Sequence, residues 1–191
     1  MKVVLATHNA HKVDELRRIL GPLLGGIELI AYDGPEPVED GETFEENALI
    51  KARAAAAHTG MPALADDSGI CVDALGGAPG IHSARYAGTR DDADNVALLL
   101  QNLATEDNRT AQFVCAAALV LNGSEYVVRG TWPGSVLPER SGANGFGYDP
   151  IFSPDGIAGS SAELTADEKN AISHRTRAFT ALLEPTRHLL D

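Results

Sequence analysis

A long apolar segment that ends in an Asn-Gly dipeptide limits the folds open to this chain. Ala111 to Leu121 and Glu125 to Gly130 are separated by Asn122-Gly123, which is typical of a two-residue turn between antiparallel strands. The chain opens differently, with a buried-strand pattern at Val3 to Ala6 followed by a polar turn and an amphipathic helix. Together these patterns predict an α/β fold with a mixed β-sheet and flanking helices.

The other elements are predicted from periodicity, capping residues and turn residues. Gly21-Pro22 predicts the end of the first helix, and Asp66-Asp67-Ser68-Gly69 predicts a sharp turn between two short strands. Capping boxes begin helices at Thr43 and Thr165, and Pro185 should end or kink the last helix. The remaining predictions are strands at Ile27–Ala31, Ala63–Ala65 and Ile70–Val72, and helices at Ala48–Ala57 and Asp91–Leu103.

Composition and charge exclude several classes of protein. The chain has 191 residues, of which 27 are acidic and 15 basic, for a net charge of −12. No run of Lys and Arg occurs, so binding to nucleic acid is not expected. With 44% hydrophobic and 22% charged residues, the chain should fold as one unit over residues 1–191.

Two further absences indicate where the protein works. Cys71 and Cys115 lie in apolar stretches without the spacing of a disulfide framework or zinc site. No apolar run is long enough to be a signal peptide or to cross a bilayer. We therefore expect a cytoplasmic protein that does not bind membranes.

Carboxylates are concentrated in two segments. The loop from Asp33 to Glu46 has seven acidic residues, among them Glu39, and no Lys or Arg, and Asp66 and Asp67 form an adjacent pair. Oxygen donors from two segments are the ligands that Mg²⁺ prefers, and Mg²⁺ usually accompanies phosphate. The alternative for the pair is ordinary Asx-turn chemistry without a metal.

A polar segment between the first strand and helix could bind phosphate. Thr7 to Lys12 combines small polar side chains and a Lys with the unpaired N–H groups of a helix N-terminus. It lacks the glycines of a Walker A loop. The alternative is that Asn9 simply caps the helix.

An aromatic ring between two glycines could stack on a base. In Gly145-Phe146-Gly147 the glycines allow a flat ligand to approach the ring, although such a ring can instead fill the core.

Two further segments have simple structural interpretations. Ser173-His174-Arg175 can be explained as a helix cap followed by a surface Arg. Covalent catalysis is the weaker hypothesis, because Ser68 lacks a Gly-x-Ser-x-Gly context and Cys71 lies in an apolar strand.

Six sequence blocks, taken in order, resemble the inosine/xanthosine triphosphate pyrophosphatase family. They run from the first strand to the last helix: Ala6 to Lys12, Thr43 to Ala48, Ala65 to Gly69, Gly76 to Tyr86, Gly145 to Phe152, and Ala162 to Arg175. The resemblance implies Mg²⁺-dependent hydrolysis of ITP, dITP and XTP to the monophosphate and pyrophosphate. It also implies two lobes around a central nucleotide-binding cleft, and a homodimer.

The resemblance also implies roles for individual residues. Asp67 corresponds to the general base, and Glu39, Asp66 and Asp67 to the metal ligands. The phosphate-binding residues are Thr7, Asn9 and Lys12. The substrate-binding loop comprises Ser68, Phe146, Gly147, Tyr148 and Asp149, and base recognition falls to Lys169, His174 and Arg175.

One departure and two rival functions accompany this interpretation. Many family members carry glycines where this chain has His8 and His11, so the backbone can approach the phosphates differently here. Because the net charge repels a triphosphate, Lys12, Lys51, Arg85, Lys169 and Arg175 must reverse the local field. The rivals are a pyrophosphatase for modified pyrimidines or methylated bases and a nucleotide-binding module without turnover.

Overall fold

The computed structural model describes residues 1–190 and contains one mixed sheet. The six strands are β1 (Lys2–Leu5), β2 (Glu28–Ala31), β3 (Ala63–Val72), β4 (Thr110–Leu121), β5 (Ser124–Val136) and β6 (Phe152–Pro154). Their order in the sheet is β2-β1-β3-β4-β5-β6. Strand β1 pairs in parallel with β2 and β3, whereas β5 and β6 are antiparallel. The predicted α/β class with a mixed sheet is confirmed.

Five α-helices accompany the sheet. They are α1 (Ala10–Leu24), α2 (Phe44–Thr59), α3 (Asp92–Asn102), α4 (Ala166–Ile172) and α5 (His174–Thr186). The capping boxes predicted at Thr43 and Thr165 are both present, and Pro185 falls at the end of α5. No helix within residues 1–190 is long and apolar enough to cross a bilayer.

The predicted hairpin is also confirmed. Asn122 and Gly123 join β4 to β5 with φ values of 50° and 80°, the left-handed conformations that a type I′ turn needs at both central residues. Asn and Gly tolerate this region better than other residues. The local sequence therefore determines this turn.

The predicted end of α1 at Gly21-Pro22 is wrong, because the helix continues through both residues to Leu24. Gly21 and Pro22 are exposed, while Leu24 is 2% exposed and belongs to a hydrophobic core. Burial of a Leu side chain contributes about 1.5–3 kcal/mol, which offsets much of the cost of a Pro in the last turn. The helix ends instead at Gly25, whose φ of 55° suits a C-cap.

The predicted turn at Asp66-Asp67-Ser68-Gly69 is wrong, because these residues lie within the continuous strand β3. The Asx-turn alternative for the acidic pair is therefore wrong as well. Gly69 serves close packing: a Cβ there would lie 2.3 Å from the Gly80 carbonyl oxygen and 2.4 Å from Ser83 Oγ. The strand passes this point only because residue 69 has no side chain.

The chain divides into two compact units, each with its own core. Unit 1 comprises 1–67, 115–130 and 174–191, and unit 2 comprises 68–114 and 131–173. In unit 1, helices α1 and α5 contribute Leu16, Leu20 and Phe179 to a cluster with residues of β1, β3 and β4. In unit 2, the ring of Phe152 lies 4.5 Å from that of Phe113 and 5.5 Å from that of Trp132, measured between centroids.

We predict opposite effects of alanine at two glycines of unit 1. At Gly130 a Cβ would lie 2.5 Å from the His174 carbonyl oxygen and 2.5 Å from the Ala178 nitrogen, so Gly130→Ala should destabilise the protein by roughly 1–3 kcal/mol. At Gly21, in α1, nothing lies within 4 Å, so Gly21→Ala should stabilise it by about 0.4–1 kcal/mol. Urea unfolding of both variants measures the two changes, and a Gly130→Ala protein as stable as wild type contradicts the packing argument.

Candidate functional site

Six charged side chains of unit 1 form a group that we call the charge cluster: Lys12, Glu39, Lys51, Asp66, Asp67 and Arg175. Its centre is Asp66, whose side chain is fully buried in β3. The Oδ2 atom of Asp66 accepts a hydrogen bond from Lys12 Nζ at 3.1 Å and another from Arg175 Nε at 3.3 Å. Asp66 thereby joins side chains of α1 and α5 to the strand.

Arg175 is buried between two carboxylates. Besides its bond to Asp66, it donates from Nη1 to Glu15 Oε2 at 3.0 Å. Only 4% of Arg175 is exposed, so the alternative that it is a surface residue is wrong. Glu15 was not predicted as a site residue, because no short-range pattern connects a helical Glu to an Arg 160 positions away.

Asp67 has a different set of partners. Lys51 Nζ donates to Asp67 Oδ1 at 2.9 Å and to Glu39 Oε2 at 3.2 Å. The other oxygen of Asp67, Oδ2, is buried and has no hydrogen-bond partner among residues 1–190. Because burying a carboxylate oxygen without a partner is costly, this atom is available to a ligand.

The environments of the two neighbouring acids shift their pKa values in opposite directions. Burial by itself raises the pKa of Asp66, but the charges of Lys12, Arg175 and Lys51 outweigh burial and hold that pKa well below its usual range. For Asp67, burial raises the pKa above its ordinary value despite the opposing charges of Lys51 and Lys12. Asp67 is therefore the better proton acceptor of the pair.

The charge cluster also affects two other side chains. Burial lowers the pKa of Lys51, but the carboxylates of Asp67, Asp66 and Glu39 raise it more, so the ammonium stays charged. The Sγ atom of Cys115 lies 4.0 Å from Asp66 Oδ2, and burial together with that charge raises the pKa of its thiol well above the usual value. A protonated thiol is a poor nucleophile.

The segment before α1 is organised by its own polar side chains. Asn9 Oδ1 accepts from the Lys12 backbone nitrogen at 3.2 Å, which confirms Asn9 as a helix cap. Thr7 Oγ1 accepts from the Asn9 nitrogen at 3.2 Å. His8 Nε2 lies 2.9 Å from the Gly34 carbonyl oxygen and donates to it, since a carbonyl can only accept. His8 thus connects this segment to the acidic loop.

In unit 2, residues 145–149 form a segment that we call the aromatic loop. The Oδ2 atom of Asp149 accepts from the Phe146 backbone nitrogen at 2.9 Å and from Lys169 Nζ at 2.6 Å. The Lys169 ammonium also lies 5.1 Å from the centroid of the Phe146 ring, a cation–π distance. Phe146 is half-buried, and the unit 2 core described above does not include it.

The two residues after Gly147 fix this loop to the body of unit 2. Tyr148 is buried, and its hydroxyl donates to the Ser83 carbonyl oxygen at 2.8 Å. Burial, helped by nearby Tyr86 and Asp92, raises the pKa of Tyr148, so the phenol stays protonated. Ser161 Oγ donates to Asp149 Oδ1 at 2.8 Å. The buried side chains of Tyr148 and Asp149 therefore hold the loop that carries Phe146.

The predicted site residues fall into both units. Thr7, Asn9, Lys12, Glu39, Asp66, Asp67, His174 and Arg175 belong to unit 1, and Ser68, Phe146, Gly147, Tyr148, Asp149 and Lys169 to unit 2. His174 is buried as the first residue of α5, and Ser68 is half-buried in β3. Lys51, predicted only as a local cation, bridges two predicted metal ligands. Its signal is a lone Lys in the Ala-rich helix α2.

The predicted metal ligands are held mainly by cations. Within residues 1–190, no group of three or more His, Cys, Asp or Glu side chains is arranged to bind a metal ion. The carboxylates of Glu39, Asp66 and Asp67 instead contact Lys12, Lys51 and Arg175. The charge cluster therefore consists of three carboxylates and three cations in mutual contact.

Comparisons with known proteins agree along the whole chain. Residues 3–185 match the Ham1 family. A protein of Leifsonia xyli named dITP/XTP pyrophosphatase is 57% identical, with 99% of this chain and 97% of the relative covered. A protein of the same name from Streptomyces coelicolor is 51% identical, with 99% and 98% covered.

Solved structures have the same fold. A HAM1 protein from Coxiella burnetii has a TM-score of 0.86 at 43% identity, covering 100% of this chain and 98% of the other. A structure from Mycobacterium abscessus, described as a nucleoside-triphosphatase / dITP/XTP pyrophosphatase, has a TM-score of 0.77 at 49% identity, covering 95% and 98%.

We predict that Asp66→Asn destabilises the protein by about 1.5–3 kcal/mol at pH 7, the usual contribution of hydrogen bonds to charged groups. The lowered pKa of Asp66 means that its stabilisation is present above the unfolded-state pKa of about 3.9. It is lost as the pH falls through the folded-state value. The difference in free energy of unfolding between wild type and Asp66→Asn should therefore become smaller below about pH 4.

Chemical unfolding at pH 7 and at pH 3 measures this difference. Asp33→Asn serves as the control, because it removes the same charge from an exposed side chain of unit 1. The control should change the free energy of unfolding by no more than about 0.5 kcal/mol. Equal effects of the two substitutions contradict the argument.

Proposed function

Because the chain belongs to the Ham1 family, we propose that it is a nucleoside triphosphate pyrophosphatase that hydrolyses deaminated purine nucleotides. Its substrates are ITP, dITP and XTP, and its products are the nucleoside monophosphate and pyrophosphate. The observation that carries this proposal is full-length similarity, at 57% and 51% identity, to proteins named dITP/XTP pyrophosphatase. The charge cluster supplies the groups that such a reaction needs.

The triphosphate binds to the lysines of the charge cluster. Lys12 and Lys51 are largely buried, with side chains 15% and 12% exposed, so their charges are weakly screened by solvent. Thr7 and Asn9 add polar groups at the N-terminus of the 15-residue helix α1, where backbone N–H groups favour an anion. These cations and the helix N-terminus offset locally the repulsion that a net charge of −12 exerts on a triphosphate.

Glu39, Asp66 and Asp67 would hold Mg²⁺. Carboxylate oxygens suit this hard cation. The Oδ2 atom of Asp67, which is buried and has no partner within residues 1–190, fits a metal ligand. When bound, the ion neutralises charge on the phosphates and on the departing pyrophosphate. Lys51 contacts both Glu39 and Asp67 and so keeps these two carboxylates close together.

Asp67 acts as the general base. Its raised pKa lets it accept a proton from the water that attacks the α-phosphorus. The P–O bond to the β-phosphate breaks, and pyrophosphate leaves with the bonding electrons. Lys12 and Lys51 offset the charge on the phosphate oxygens during this displacement. No covalent intermediate is required, in line with the protonated thiol of Cys115.

The aromatic loop and the start of α5 recognise the base. Phe146 provides a half-buried ring for stacking, and the Lys169 ammonium 5.1 Å from its centroid can donate to the 6-oxo group of hypoxanthine or xanthine. Ser68, Gly147, Tyr148 and Asp149 shape this region. His174 and Arg175 complete the base-recognition set, although Arg175 also contacts Asp66 and so can serve the phosphates.

The proposed setting is the cytoplasm, where the protein works as a homodimer on a small-molecule substrate without nucleic acid or membrane. Both cysteines, Cys71 and Cys115, are free thiols, which suits a reducing compartment. The net charge of −12 disfavours nucleic acid.

Pyrophosphate release from a panel of triphosphates tests the function. ITP, dITP and XTP should be hydrolysed in the presence of Mg²⁺. The ammonium of Lys169 can only donate, and so can the 6-amino group of ATP, so binding of ATP leaves a buried donor unpaired at a cost of about 1–3 kcal/mol. The kcat/KM value for ATP should therefore be roughly ten- to a hundred-fold lower than that for ITP. Equal rates with ATP and ITP refute donor-based recognition. A modified pyrimidine as the best substrate, or binding without turnover, supports a rival function instead.

We predict that Asp67→Asn lowers kcat for ITP by about 10²–10⁴-fold, the usual contribution of a general base. The amide keeps the shape and can still accept the hydrogen bond from Lys51, but it cannot take up a proton. Asp73→Asn removes an exposed carboxylate and is the control for charge alone. If Asp67→Asn keeps more than about a tenth of the wild-type kcat while thermal unfolding is unchanged, Asp67 is not the base.

A further inference from the structure

Helix α3, which contains none of the predicted site residues, contacts the aromatic loop. Asp92 lies in the first turn of α3, and its Oδ2 atom accepts a hydrogen bond from the Gly147 backbone nitrogen at 2.7 Å. The two residues are 55 positions apart in the sequence and belong to the same unit. Gly147 has a φ of +61°, a left-handed conformation that is costly for other residues.

Two successive N–H groups of the loop donate to carboxylates that belong to different elements, the loop itself and helix α3. The Phe146 nitrogen donates to Asp149 Oδ2 within the loop, at 2.9 Å. The Gly147 nitrogen donates to Asp92 on α3. Asp149 thus closes the loop on itself, whereas Asp92 fixes it to a helix next to the Phe146 ring.

The Asp92 carboxylate is itself well placed for this contact. The N-cap of α3 is Asp91, whose Oδ1 atom accepts from the Ala93 and Asp94 nitrogens. That cap fixes the first turn, and the positive end of the helix dipole favours an ionised carboxylate there. A charged acceptor on a rigid element forms a stronger hydrogen bond than a neutral one does.

We propose that Asp92 is a positioning residue for the base: through the Gly147 nitrogen it holds the aromatic loop in the conformation in which Phe146 stacks on the purine. The proposal rests on the proposed function of the aromatic loop. Asp92 acts through the loop and takes no part in the attack on phosphorus. Its loss should therefore affect substrate binding more than the chemical step.

The test compares Asp92→Ala with Asp92→Asn, whose amide oxygen can still accept from Gly147. Asp94→Ala is the matched control: it removes a carboxylate from the same first turn of α3, but Asp94 contacts Thr89. Hydrogen exchange over residues 145–149, followed by mass spectrometry, reports on the contact without any nucleotide. KM and kcat for ITP report on positioning.

In Asp92→Ala, we expect exchange of the loop amides to rise about tenfold. KM for ITP should rise about three- to ten-fold, with kcat changed less than about twofold. Asp92→Asn should retain most of the wild-type protection and KM, and Asp94→Ala should match wild type.

Three outcomes overturn the proposal: unchanged exchange in Asp92→Ala, equal changes in Asp92→Ala and Asp94→Ala, or a fall in kcat without a rise in KM. Thermal unfolding of each variant separates local loss of the contact from general destabilisation. If wild type hydrolyses no triphosphate, the proposed function has failed. The positioning role falls with it, while the exchange data still decide whether Asp92 anchors the loop.

Discussion

The ion pairs of Asp66 hold the charge cluster together. A carboxylate with no exposed surface is stabilised in a strand because Lys12 and Arg175 donate to the same oxygen and Lys51 adds a nearby positive charge. Removing one partner of such a buried group is strongly destabilising. Because these cations come from α1 and α5, the arrangement of the helices and the ionisation of the acid depend on each other.

The neighbouring acid shows why a strand, and not a turn, suits this pair. Successive side chains of a strand point to opposite faces, so Asp66 and Asp67 have different partners although they are adjacent in sequence. Asp66 is fixed as an anion by two cations, whereas Asp67 shares Lys51 with Glu39. Its Oδ2 atom is buried and has no hydrogen-bond partner in the described part of the chain. One strand thus places an acid whose charge is balanced by two cations next to an acid with a different set of contacts.

In unit 2 a buried ion pair between Lys169 and Asp149 likewise holds a functional segment. Lys169 and Asp149 are both buried and lie 2.6 Å apart, and each has a second partner: the Phe146 ring for Lys169 and backbone or hydroxyl donors for Asp149. Such shared contacts, together with the packing of Tyr148 in the unit 2 core, make a glycine-flanked loop rigid. Rigidity of this kind reduces the ordering cost when a ligand binds.

Short-range signals in the sequence determined much of the fold. The capping boxes at Thr43 and Thr165 and the Asn122-Gly123 turn act within four residues, and the structure has all three. Tertiary structure decided what local preference could not. Helix α1 continues past Gly21-Pro22 to bury Leu24, and Asp66 and Asp67 lie within a strand where cations distant in sequence contact them. The bonds from Lys51 to Glu39, Arg175 to Glu15 and Gly147 to Asp92 join residues from 12 to 160 positions apart. No periodicity encodes such pairs, because only folding brings the partners within hydrogen-bond distance.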